Sequence, residues 1–83
     1  MTEKAFERVF EECEDWQQSG NNYSVEVRTG ARNYCVDLKT FVDYGRMEYR
    51  DQRHPECICW EREGFIAISL EDVEAIRIKP IEV

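Results

Sequence analysis

Residues 64–78 read Gly-Phe-Ile-Ala-Ile-Ser-Leu-Glu-Asp-Val-Glu-Ala-Ile-Arg-Ile, two strand-like runs on either side of a short acidic turn. Strand side chains alternate between faces, so Ile66, Ile68 and Leu70 share one face and Ile76 and Ile78 another. The turn, Leu70 to Val73, is too short for a crossover between parallel strands. A chain with this feature is expected to bend sharply and close a small barrel.

The rest of the chain supports the same architecture. Thr2 can cap a helix starting near Glu3. Ala5, Phe6, Val9, Phe10, Cys13 and Trp16 then fall on one stripe at helical spacing, which predicts a buried face. Ser19-Gly20-Asn21-Asn22 ends the helix, with Gly20 as the left-handed residue. From Tyr23 the period becomes two. Tyr23, Val25 and Val27 face inward from a first strand, and Tyr34, Val36 and Leu38 from a second. Met47 and Tyr49 belong to a third, and Ile58 and Trp60 to a fourth that follows a turn at His54-Pro55. The expectation is one α+β, mainly β domain over 1–83: a helix over 1–20, packed on a small bent antiparallel barrel over 23–79.

Charge narrows the function. The chain of 83 residues carries a net −7. Residues 1–20 hold six acids against Lys4 and Arg8, a net −4, whereas 21–45 are neutral. Glu3, Glu7, Glu11 and Glu14 lie opposite the apolar stripe, where like charges cost a few tenths of a kcal/mol per pair. Either solubility or a basic partner accounts for that cost. Such a surface repels phosphate backbones, so direct nucleic-acid binding is not expected. No apolar run reaches membrane-spanning length, and the charged, amphipathic first residues do not read as a signal peptide. A cytoplasmic location with no membrane contact is expected, and there the four cysteines stay reduced.

Catalytic equipment is sparse. His54, Cys57 and Cys59 offer three ligands where tetrahedral zinc takes four, usually at wider spacing, so no metal is expected. His54 is the single histidine, assigned to a turn, and no base is placed beside a serine or cysteine. The glycines are dispersed rather than gathered in a phosphate loop. No catalytic residue and no cofactor are assigned. Arg46, Arg50, Arg53 and Arg62 interleave with Tyr44, Tyr49 and Trp60, but Glu48, Asp51, Glu56, Glu61 and Glu63 dilute that patch. A protein contact or a salt-bridged wall therefore suits it better than RNA.

Residues 23–79 resemble the Sm-like (Lsm) family of small barrels. Tyr23, Val25, Val27 and Gly30 fit the opening of its first motif. Phe41-Val42-Asp43-Tyr44-Gly45-Arg46-Met47-Glu48-Tyr49-Arg50-Asp51 fits the remainder in length and apolar positions. Ile68-Ser69-Leu70-Glu71-Asp72-Val73-Glu74-Ala75-Ile76 fits the second motif in the same way. The family grips RNA through an Asp and an Asn in the first motif and an Arg-Gly in the second. Val42, Arg46, Ser69 and Leu70 stand at those positions, which implies a retained scaffold without the nucleotide pocket. The layout and charge are also similar to Rho-binding antiterminator proteins, which implies a protein that blocks an RNA-binding site on another protein.

These readings converge on a small acidic, non-enzymatic inhibitor or antagonist. It would cover a basic, nucleic-acid-binding surface of a partner protein, as phage-type, anti-CRISPR-type or antiterminator-type proteins do. The expected contacts are Glu3, Glu7, Glu11 and Glu14, the ridge Glu71, Asp72 and Glu74, and the aromatic anchors Tyr44, Tyr49 and Trp60. The alternative is an Sm-like RNA-binding ring subunit.

Overall fold

A computed structural model describes residues 1–45, 47–51, 54–61 and 63–81, with backbone alone for 47–51 and 54. Helix α1 spans Glu3–Gln18. Its start follows from Thr2, whose Oγ1 accepts from the Ala5 N–H at 3.2 Å. Its end follows from Ser19 and Gly20. The Ser19 hydroxyl donates to the Trp16 carbonyl at 2.6 Å, and Gly20 takes φ 78°. Phe6 and Cys13 are buried, and Val9 and Phe10 pack half-buried against the core. Trp16 departs from its expected burial. It is 36% exposed and lies over Tyr23, with ring centroids 4.6 Å apart, because the stripe runs past the core at the last turn.

Strand β1 (Tyr23–Thr29) sits at the centre of a three-stranded antiparallel sheet, between β2 (Asn33–Asp37) and β6 (Val73–Pro80). Val25 opposes Val36 and Ile78, and Val27 opposes Tyr34 and Ile76. These cross-strand apolar pairs hold the register. The intervening Glu26 is also buried, at 7% exposure, and the Lys79 ammonium donates to its Oε2 at 3.0 Å. That hydrogen bond holds the Glu26 carboxyl below its ordinary value.

Leu38 was expected on the inner face of the second strand, with no helix beyond residue 20. Instead Leu38–Tyr44 form a second helix, α2. The physical reason is local. Asp37 Oδ1 accepts from the Thr40 N–H at 2.9 Å, and the Thr40 hydroxyl donates back to Asp37 Oδ2. Leu38, Phe41 and Val42 then face inward together at helical spacing. Gly45 closes the helix, its N–H donating to the Phe41 carbonyl at 2.9 Å.

The second antiparallel sheet has β4 (His54–Glu61) between β3 (Met47–Asp51) and β5 (Gly64–Ser69). His54 and Pro55 were expected in a turn; they open β4, opposite Asp51 and Tyr49. Pro55 is tolerated there because it lies near the start of the strand.

The acidic turn is a 3-10 turn, Leu70–Asp72. It does not close a hairpin. β5 pairs with β4 and β6 pairs with β1, so the turn passes the chain from one sheet to the other. Among the described residues no ladder joins the two sheets. The fold is α+β and mostly strand, with two small antiparallel sheets and an N-terminal helix that packs chiefly against α2. One core links these layers, with Phe41, Leu70, Val25 and Val27 fully buried and Phe6 nearly so. Phe41 lies at its middle, with ring centroids 6.5 Å from Phe6 and 5.7 Å from Phe10.

Candidate partner-binding surface

Helix α1 connects the two places where candidate contact residues gather. At its start, the Met1 nitrogen donates to the Leu70 and Val73 carbonyls at 2.9 and 3.0 Å, which seats the helix beside the acidic turn. At its end, Gln17 Nε2 donates to Asp43 Oδ1 at 3.1 Å, one residue from Tyr44. A helix of 16 residues spans about 24 Å. Glu3, Glu7, Glu11 and Glu14 are all exposed along it, as are Glu12 and Asp15.

Tyr44 is 62% exposed at the last position of α2. Trp60, half-buried on β4, donates its indole N–H to the Tyr44 carbonyl at 2.8 Å. The two rings meet edge to face at 5.8 Å. Phe65, 46% exposed on β5, lies 5.1 Å from Trp60 on the other side. Phe65 completes this trio and was missed in the sequence. The signal was available: with Ile66 and Ile68 facing inward, Phe65 faces outward. The side chains of Tyr49 and His54, and residues Arg46, Arg53 and Arg62, lie outside the described residues.

Glu71, Asp72 and Glu74 are exposed at the opposite end of β5 from Phe65. Six strand residues cover roughly 17–20 Å, so these acids and the aromatic trio form separate patches. The acids line an open groove of about 560 Å³ with Gly30, Tyr34 and residues 66–69. Beside this groove Arg32 bridges the sheets: it lies 4.3 Å from the Tyr34 ring centroid and 3.3 Å from Glu61 Oε1. Both ends of that ion pair are solvated, so it adds little stability.

Cys57 and Cys59 sit side by side in the core, and Cys13 is buried as well. Burial, reinforced by the Glu12 carboxylate, pushes the Cys13 thiol up to about 12. A hydrogen bond to Cys59 and burial push Cys57 up further still. Thiolate, not thiol, is the reactive species, so Cys13 and Cys57 are inert in the folded chain, while Cys59, held lower by its hydrogen bond with Cys57, is kept from reagents by its burial. Cys35 is exposed. A disulfide-exchange reagent should titrate one thiol per chain quickly, at Cys35, and the other three only in denaturant. Rapid reaction of Cys57 or Cys59 in the folded protein would contradict this placement.

Among the described residues no three His, Cys, Asp or Glu side chains gather as a metal site. Nor, among them, is any helix long and apolar enough to cross a membrane. No protein-family model, curated protein or solved structure matches this chain.

Proposed function

We propose that this is an acidic, non-enzymatic binding protein, built on an Sm-like barrel frame, that acts in the cytoplasm. It covers a basic, nucleic-acid-binding surface of a partner protein and so antagonises that partner. The observation that carries the reading is the trio of exposed Tyr44 and Phe65 about half-buried Trp60, at the end of an acid-faced helix. Tyr and Trp are the side chains that most often anchor protein interfaces. The indole hydrogen bond to the Tyr44 carbonyl fixes two of the rings relative to each other, which lowers the ordering cost of binding. The net charge of −7 draws a cationic surface from a distance and repels polyanions.

The division of labour is testable. Charges at a rim mainly set the association rate, and buried aromatics set the dissociation rate. Glu7→Lys with Glu11→Lys should leave the thermal midpoint nearly unchanged or slightly raised, since repulsion along α1 is relieved. Capture of the partner should slow about tenfold at low salt, with a shallower salt dependence. Tyr44→Ala should keep the association rate and speed dissociation by roughly 30-fold, the equivalent of a ~2 kcal/mol anchor. An unchanged rate and salt slope in the charge-reversed protein would reduce the helix face to a solubility device.

A further inference from the structure

We infer that the open edge of β5 accepts an extended, lysine- or arginine-bearing polypeptide segment as an added strand. β5 pairs on one side with β4, and among the described residues no strand covers its other side. A groove of about 560 Å³ is lined by β5 together with Thr29, Gly30, Ala31 and Tyr34 from the end of β1, the β1–β2 turn and β2. Four consecutive residues of β5, 66–69, line it. Successive strand side chains point to opposite faces, so a groove that meets all four follows the edge, not a face. In an antiparallel pair, alternate residues turn their N–H and C=O away from the partner, so this wall carries a row of backbone donors and acceptors.

Exposed edges are usually blunted by charge, lysine or proline. β5, Gly-Phe-Ile-Ala-Ile-Ser, has none of these. The groove's volume lies within the roughly 300–1,000 Å³ typical of ligand clefts.

The rim selects the occupant. Glu71, Asp72 and Glu74 line the groove and, among the described residues, no Lys or Arg does. A strand added here gains main-chain hydrogen bonds from β5 and places cationic side chains against three carboxylates. A second copy of this chain, with its own net −7, is a poor electrostatic match. This surface is distinct from the helix face and from the aromatic trio, and the inference does not depend on either.

The test uses the full chain and a fluorescein-labelled eight-residue peptide of alternating lysine and valine, read by anisotropy at low salt. Two further peptides carry N-methyl groups on either the odd or the even backbone nitrogens. Strand addition predicts 1:1 binding, with one methylation register weakened at least about tenfold and the other within about twofold. Each lost hydrogen bond is worth a factor of roughly 2–10, and one edge loses several. Glu71→Gln with Asp72→Asn and Glu74→Gln should weaken the parent peptide about fivefold or more, while a glutamate–valine peptide should not bind. Equal binding of both methylated peptides would overturn the inference in favour of charge alone. Absence of binding would overturn it too. A dimer in sedimentation, with β5 amides already protected from exchange, would assign the edge to a second copy instead.

Discussion

Phe41→Ala should remove about 3–5 kcal/mol of stability and leave much of the protein unfolded at 37 °C. Phe41 has no solvent exposure. Its ring meets Phe6 and Phe10 of α1, while its own helix packs on both β1 and β4. Truncation therefore leaves a cavity where α1, α2 and both sheets meet, and collapse from one side would strain the others. A domain of this size has little stability to lose. With a urea slope near ~1 kcal/mol/M, the midpoint should fall by about 3–5 M, or below zero. Phe10→Ala should cost less, because Phe10 is half-buried, and Trp16→Ala less again. If Trp16→Ala proved the most damaging of the three, the centre of the core would lie elsewhere.

Gly45→Ala should cost about 2–3 kcal/mol, against the usual gain of ~0.4–1 kcal/mol when alanine replaces a compatible glycine. The backbone of Gly45, at φ −87° and ψ 75°, is open to alanine, so the penalty is one of space. A Cβ there would lie 2.8 Å from the Ile58 carbonyl oxygen and 2.8 Å from the Phe41 carbonyl oxygen. Both are backbone atoms, so α2 and β4 must separate to admit it. Gly20 supplies the contrast. A Cβ at Gly20 meets nothing within 4 Å, but φ 78° is left-handed, so Gly20→Ala should cost only about 1–2 kcal/mol. Urea midpoints for the pair check the order. A harmless Gly45→Ala would mean that α2 and β4 do not approach this closely.

The parts of the fold legible in the sequence are those set by local chemistry. Thr2 and Gly20 bound α1 by capping and by a left-handed residue. Alternation at Val25 and Val27 marks β1 as a strand with a buried face. Helix α2 has comparable local marks, the Asp37–Thr40 cap and the Leu38, Phe41, Val42 spacing, yet the chain there also fits a strand alternation begun at Tyr34 and Val36. Seven residues give a helical period too few turns to assert itself.

Strand partners are less legible still. Ile66, Ile68, Ile76 and Ile78 have alternating spacing whether β5 and β6 pair with each other or with different strands. The choice depends on β1 and β4, which are distant in sequence. Glu26 sits at a polar position and is buried all the same, because Lys79, 53 residues away, reaches it from β6. At the candidate surface, the acids of α1 were readable from helical spacing. The aromatic trio needed the Trp60–Phe65 register and the position of Tyr44 at the end of an unforeseen helix.

On the function proposed above, this protein covers a surface that otherwise binds nucleic acid. The most direct measurement is the anisotropy of a labelled single-stranded oligonucleotide already bound to the purified partner, as this protein is added. Occlusion should release the oligonucleotide at close to one equivalent, with weaker release by the Tyr44→Ala variant and no binding of the oligonucleotide to this protein alone. An oligonucleotide that stays bound in a ternary complex, or one that this protein binds by itself, would contradict it.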